Sequence, residues 1–519
     1  MFPTLVFHGI IVASHTSTLI QMATRIIQMK KISFNYLQVQ YLIILLLCVF
    51  SAVAQVPDDS PQARDAAIAR LKKVTVYKPC EDASTMTRAF GSTCNSREFA
   101  APPILAAPKI QWEINPGWWS VWPAFVTEKY VLTGSCNNET NAGLSIIDKN
   151  TGKVVWRISD ICAVGNRSGS MGVIEFFEMP TGEVLMLYNR EDGGPADYYV
   201  ISLKTGKIAR SLTMVKPRAP IRSYGQVFTA VTQSTKNGYS ILSGLNSNLD
   251  KVLWENTNFR LAMPDKLDPH YKPTFSAGAA EDGLLFLSAR SKEQNDPPTR
   301  QLHAIDLSNG KTLWKHTSQP TTEKVGNKAY KSDDGIPMII DHKVIIKVQG
   351  LDGPTVPNGT PYGEALRAFD KNTGKILWTT KSQPKQQILN RVGAGNIIVT
   401  EVLTGKEKEI WGYKTTDGTI AWKRKISVNA ALLCGSGGAF YVGERIVDAN
   451  NKWKDTKLQG FDGETGTVLW TASLPERFFQ YDVNSPWNIE STKGGLPVWT
   501  IDRDGSIYGV TLKGAYKLK

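Results

Sequence analysis

From residue 108 onward, apolar and polar positions alternate in short runs punctuated by Asp, Asn and Gly, the period-two signature of strands joined by tight turns. One unit recurs seven times between residues 146 and 470: a strand, a turn, and a second strand that closes on tryptophan. It is clearest at Ala368 to Trp378, which reads AFDKNTGKILW. The other copies read IIDKNTGKVVW ending at Trp156, VISLKTGKIAR at Arg210, GLNSNLDKVLW at Trp254, AIDLSNGKTLW at Trp314, GYKTTDGTIAW at Trp422 and GFDGETGTVLW at Trp470. Their ends lie 54, 44, 60, 64, 44 and 48 residues apart. That period fits a β-propeller blade and excludes a heptad or a helical repeat.

The chemistry of each position follows from its place in the unit. Asp or Asn bonds back to turn amides, and Gly152, Gly206, Gly310, Gly374, Gly418 and Gly466 supply the positive φ that other residues resist. The closing Trp156, Trp254, Trp314, Trp378, Trp422 and Trp470 each offer a large apolar face and one N–H donor, suited to wedging between neighbouring sheets. Near the start, Lys109 to Ile114 (KIQWEI) reads as an outer strand carrying Trp112 with no blade of its own ahead of it. After Trp470 come Pro497 to Ile501, an Asp504-Gly505 turn, Ile507 to Val510 and a final GAYKL. The expectation is therefore an all-β, eight-bladed propeller of four-stranded antiparallel blades, closed by pairing N- and C-terminal strands; seven blades with a degenerate tail is the alternative.

Within this frame the Thr-Gly turns mark one rim, and the longer connections mark the other. Ser291 to Thr299, His316 to Gly335, Gly350 to Gly363 and Glu255 to Tyr271 carry most of the length variation. The long-loop rim is expected to be the working face, because binding residues concentrate on loops held by a rigid scaffold. Ahead of the propeller, residues 55–107 read as a cap: Ser60-Pro61 followed by QARDAAIARLKKV predicts a capped helix of about 13 residues. An irregular segment from Thr75 to Pro108 follows it.

Residues 1–54 contain no acidic residue and close with YLIILLLCVF and Ser-Ala-Val-Ala, which reads as a secretory signal effective from Met29, cut before Gln55. A retained anchor is the competing reading, but the apolar run is shorter than the ~20 residues a span needs. Losing Arg25, Lys30 and Lys31 lowers the formal charge from +13 to +10. No basic stripe interleaves with aromatics, so nucleic acid is not an expected partner. Export permits disulfides, and the candidates are Cys80 with Cys94 and Cys136 with Cys162, leaving Cys434 as a buried thiol in AALLC. The chain is expected to reside in the periplasm or to be secreted.

The repeated phrases resemble the tryptophan-docking repeat of the pyrroloquinoline quinone (PQQ) propeller family, roughly Ala-x-Asp-x-x-Thr-Gly-x-x-x-Trp. The resemblance covers residues 108–519 and is weakest at Val200 to Arg210, where Ser202 and Arg210 replace Asp and Trp, so that blade's docking contact is expected to be missing or remodelled. It implies a second function, a PQQ- and calcium-dependent dehydrogenase of sugars or alcohols. This chain lacks the adjacent cysteine pair of the best-known enzymes, and the Glu, Asn and Asp of the family's metal site match no positions here.

Smaller constellations read as structural. Asp502-Arg503-Asp504-Gly505-Ser506 lacks the frame of a calcium loop and reads as a hairpin turn. Asp333-Asp334 and Glu191-Asp192 read as solvated pairs, and His303 as a strand residue. His270 on the long-loop rim is the first histidine to test. Trp118, Trp119 and Trp122 read as packing residues or an aromatic platform, and Asn138, Asn166 and Asn358 head glycosylation sequons. The primary expectation is an exported binding or scaffolding propeller, with no catalytic or metal residues and no cofactor assigned. A protein or carbohydrate ligand would sit on its long-loop rim.

Overall fold

The computed structural model describes residues 55–75, 97–114, 124–135, 143–159, 173–179, 181–189, 197–213, 217–224, 227–233, 240–246, 248–261, 278–291, 299–317, 324–325, 328–329, 337–349, 363–383, 386–450, 453–475, 499–511 and 514–519. Within them the chain builds eight four-stranded antiparallel blades, inner strand first. Blades 1 to 7 run from Phe125–Val126 to Val154–Ile158, Val173–Glu178 to Lys207–Thr213, Pro217–Tyr224 to Val252–Leu261, Ala279–Glu281 to Thr312–Thr317, Met338–Ile340 to Ile376–Thr379, Gln386–Ala394 to Ile420–Lys425, and Ala430–Ser436 to Val468–Pro475. Blade 8 takes Thr500–Ile501, Ile507–Thr511 and Gly514–Leu518 from the C-terminus and its outer strand, Ile110–Ile114, from the N-terminal side. Ile110 lies opposite Leu518 and Ile114 opposite Ala515, so the ring closes by strand pairing as the alternation predicts.

Alternation buries both faces of each sheet. Phe176 turns into the cluster shared with blade 1, while its neighbour Phe177 turns into the cluster shared with blade 3. Clusters of this kind join every consecutive pair of blades, and Val126, Val131, Tyr508 and Ala515 join blade 8 back to blade 1. The structure thus selects eight blades over seven.

The unit's turns form as their residues dictate. Asp370 Oδ1 accepts from Thr373 N at 2.8 Å, Thr373 Oγ1 at 2.8 Å and Asn372 N at 3.1 Å. Three donors hold its carboxyl below the usual range, the Thr373 hydroxyl bond first among them. Gly374 follows at φ 71. In the outer strand a bulge precedes Trp378, which then lies opposite Ala368; the matching positions opposite Trp254, Trp422 and Trp470 are Gly244, Gly412 and Gly460. These residues are small because the indole folds over them: a Cβ on Gly412 would lie 2.3 Å from Trp422.

Among the described residues ahead of the blades stands one helix, α1, at Pro61–Leu71. Ser60 caps it by accepting from Ala63 N at 3.2 Å, with Pro61 at the first turn. The helix has 11 residues, shorter than the sequence pattern predicts, because Lys73 N turns back to Arg70 O and tightens the last turn at Lys72-Lys73. Ala67 and Leu71 bury against blades 7 and 8. The segment expected to be irregular also contains a short strand, Glu98–Phe99, which runs parallel to the inner strand of blade 7 as its fifth member.

Candidate functional site

The docking tryptophans form the skeleton on which any site sits. Four indole N–H groups reach a backbone carbonyl across a blade junction: Trp254 to Leu307 O at 2.7 Å, Trp314 to Lys371 O at 2.9 Å, Trp378 to Thr415 O at 2.9 Å and Trp422 to Gly463 O at 2.8 Å. Trp112, in the strand that completes blade 8, does the same to Lys149 O at 3.1 Å. The ring then lies on the next turn's glycine, pairing Trp112 with Gly152, Trp156 with Gly206, Trp254 with Gly310, Trp314 with Gly374, Trp378 with Gly418 and Trp422 with Gly466.

Two junctions depart from this rule. Arg210 stands where blade 2 would carry tryptophan, and the facing turn of blade 3 has Asp250 in place of the glycine, with the preceding Leu249 at φ 62 and buried among Phe177, Leu185 and Phe228. The turn needs no glycine where no indole lies on it. That covariation between consecutive copies was readable in the sequence. Trp470, the second departure, donates to Ile104 O at 2.6 Å instead of to the next blade. Pro102 lies beside Gly505, and Ile104 N reaches Tyr441 Oη at 2.9 Å, so the N-terminal segment fills this slot.

That segment is one part of a long arm. Gln55 pairs in parallel with Trp422 on the outer edge of blade 6, through Gln55 N to Ala421 O at 3.1 Å and Lys423 N to Gln55 O at 3.3 Å. Asp59 then clamps the Arg424 guanidinium with both oxygens, at 2.7 and 2.9 Å, and accepts from Val468 N on blade 7 at 3.0 Å. Burial works to raise the Asp59 carboxyl, but Arg424 and the Val468 N–H hold it below its ordinary range. From α1, Arg70 bonds Asp462 and reaches Glu464 at 3.0 Å. Arg97 meets Asn390 at 3.0 Å, and Glu98 accepts from Gly395 N at 2.8 Å. Burial pushes the Glu98 carboxyl up to about 7, with the Gly395 and Gly438 N–H groups opposing it.

A cavity of about 310 Å³ lies between the end of α1 and the first hairpins of blades 5, 6 and 7, on the same rim as the Thr-Gly turns. Glu98, Asp341, Asp462 and Glu464 line it against Arg70 and His342. The rim expected to be plain therefore carries a concave, acid-rich surface. Beside it, Glu281, Asp282 and His342 bring one ligand atom each within 4.8 Å of one another. Lys371 already supplies the cation there: its Nζ lies 2.6 Å from Glu281 Oε2 and also bonds Asp282, while His342 Nδ1 lies 3.1 Å from Glu281 Oε1. Lys149 reaches Asp502 at 2.7 Å and Thr415 reaches Asp341 at 2.9 Å in the same way. At these three junctions the residue after the turn's first position clamps an acid of the preceding blade's first hairpin.

Of the other residues singled out from sequence, Cys434 lies in the inner strand of blade 7, where burial pushes its thiol up. His303 is buried in blade 4 beside Gln301 at 3.1 Å, and burial, helped by Lys315, lowers its pKa to about 4. Asp502 to Ser506 closes a hairpin in which Asp504 accepts from Ser506 N and Lys519; these overcome its burial and hold it at about 2. Cys80, Cys94, Cys136, Cys162, His270, Asn138, Asn166, Asn358, Trp118, Trp119, Trp122 and the pairs Asp333-Asp334 and Glu191-Asp192 lie outside the described residues.

Comparison with known proteins agrees with the repeat. The family model described as outer membrane protein assembly factor BamB matches residues 298–486. A polyvinylalcohol dehydrogenase from Sphingopyxis sp. (strain 113P3) is 26% identical over 191 residues, 34% of this chain. The match spans 24% of that relative's length. Among solved structures, BamB from Moraxella catarrhalis overlays with a TM-score of 0.49 at 12% identity, covering 79% of this chain and 99% of that one. Quinohemoprotein alcohol dehydrogenase from Comamonas testosteroni overlays with a TM-score of 0.47 at 11% identity, covering 88% and 84%. Overlays at this level carry no information on activity. With the docking tryptophan and its turn recurring around a closed eight-bladed ring, the chain is a β-propeller built from PQQ-like repeats.

Proposed function

We propose that this chain is an exported propeller of the periplasm or cell exterior that binds or scaffolds other proteins, with residues 55–107 as its own built-in arm. The observation that supports this is the arm itself. Over blades 6 to 8, extended chain pairs with an outer edge, adds a strand to an inner edge and fills a docking slot. The propeller thus offers edges and clefts that recognise chain in extended form, a mode that other segments share. No helix among the described residues is long and apolar enough to cross a membrane.

A second reading, a PQQ- and calcium-dependent dehydrogenase, is favoured by the match to the polyvinylalcohol dehydrogenase. The candidate metal set does not fit it. Calcium takes six to eight oxygen ligands, whereas Glu281, Asp282 and His342 surround a position that the Lys371 ammonium already neutralises. Reconstitution separates the readings: purified protein mixed with PQQ and Ca²⁺ is expected to show no bound-quinone absorbance and no dye reduction with sugars or alcohols. A bound quinone that reduces dye would replace the scaffold reading with the enzyme reading. Export is checked by N-terminal sequencing of the secreted chain, expected to begin at Gln55.

A further inference from the structure

The outer strands of blades 4 and 6 are laid out in the same register. Trp314 lies opposite Ala304 and Trp422 opposite Gly412; Lys315 and Lys423, and then His316 and Arg424, follow in step, each after a bulge one place earlier. Because N–H and C=O groups alternate across a strand, Leu313 O and Lys315 N–H face outward from blade 4 as Ala421 O and Lys423 N–H do from blade 6. On blade 6 these groups are paired with Gln55. On blade 4, Leu313 is 53% exposed, and Lys315 and Thr317 are exposed as well.

The charges match too. Arg424 is answered by both oxygens of Asp59. At the equivalent place on blade 4, His316 Nε2 lies 3.4 Å from Arg367 Nη1, and among the described residues no carboxylate pairs with that guanidinium. Lys315 on the same strand and Lys311 just before it are exposed as well.

We propose that the outer edge of blade 4, Thr312–Thr317, is a docking site for an extended segment of a partner protein. The segment pairs its backbone with Leu313 and Lys315, covers Leu313 with an apolar side chain, and places an acidic residue about four positions later on His316 and Arg367. This rests on the scaffold reading and names its surface. The intramolecular template is Gln55 to Asp59, where the same backbone pairing and the same acid-to-cation contact occur together.

The test uses the mature chain and a synthetic peptide of its own residues 55–62, QVPDDSPQ, carrying a photoreactive group in place of Val56. Cross-links are expected to map to residues 312–317. Lys315→Pro, which removes the outward N–H, is expected to lower their yield at least five-fold, and Arg367→Gln by a similar factor. Leu313→Asp serves as the second edge variant should the proline disturb folding. A cross-link that maps only to blade 6 and vanishes in Arg424→Gln would mean that the peptide had merely displaced the native arm, and would overturn the proposal. So would labelling of 312–317 that none of these variants reduces. Either failure leaves the scaffold reading standing on another surface, because that reading fails separately, on bound quinone and dye reduction.

Discussion

Blades 4 and 6 are built from one phrase, yet one outer edge is bare and the other is clothed. On blade 6 the side chains before the tryptophan are half-buried under the arm, and Trp422 is 1% exposed. On blades 3, 4 and 5 the equivalent Leu253, Leu313 and Leu377 are 45%, 53% and 43% exposed. The repeat specifies how blades pack against one another and leaves the outer edge undetermined. What covers an edge depends on chain that arrives from elsewhere, and an unpaired edge is a template for such chain.

The largest expected effect comes from the clothed side. Trp422→Ala removes a fully buried indole and its bond to Gly463 O, and should destabilise the chain by about 3–5 kcal/mol in urea unfolding. It should also release Gln55, seen as faster hydrogen exchange at Lys423 N–H. Trp314→Ala, on the bare side and only partly buried, should cost less; an equal cost would mean that the arm adds nothing to the blade 6 junction.

Glu98 gives the next effect. Its carboxyl titrates near 7 when folded and near 4.5 otherwise, so between those values the folded chain holds a proton that the unfolded chain lacks. Its contribution to stability should therefore be fully present below pH 4.5 and be lost as pH rises through 7, about 3 kcal/mol in all. Glu98→Gln should flatten that slope when unfolding midpoints are compared at pH 5 and pH 8.

Smaller effects sharpen the comparison further. Leu249→Gly relieves a positive φ but empties a buried site, for a net loss of about 1–2 kcal/mol by thermal unfolding. Asp59→Ala should cost about 1 kcal/mol and raise exchange at Val468 N–H, since the clamp is partly exposed. Leu313→Lys, on the bare edge, should change stability by less than about 0.5 kcal/mol.

Much of the fold was legible because its signals are short-ranged. The alternation, the turn aspartates and the recurrent tryptophans each act over a few residues or one blade. The remodelled blade 2 junction was visible in Arg210, although Asp250 in place of the facing turn's glycine was not recognised as the compensating change. The shorter helix reflects a tightened last turn that composition does not show. The acid-rich cavity and the Lys371 clamp were not legible, because they bring together turns from blades 4, 5, 6 and 7 with the arm.

The chain by itself determined the blade unit, since hydrogen bonding within each turn and alternation within each strand need no distant partner; the count of eight and the closure it expected were settled by the pairing of Ile110–Ile114 with Gly514–Leu518. Only the tertiary structure decided where the arm lies. Asp59 meets Arg424, Glu98 meets Gly395 and Ile104 meets Trp470 across roughly 300 residues or more of intervening chain. No local propensity encodes such contacts: they require the edges, slots and turn amides that the closed ring presents.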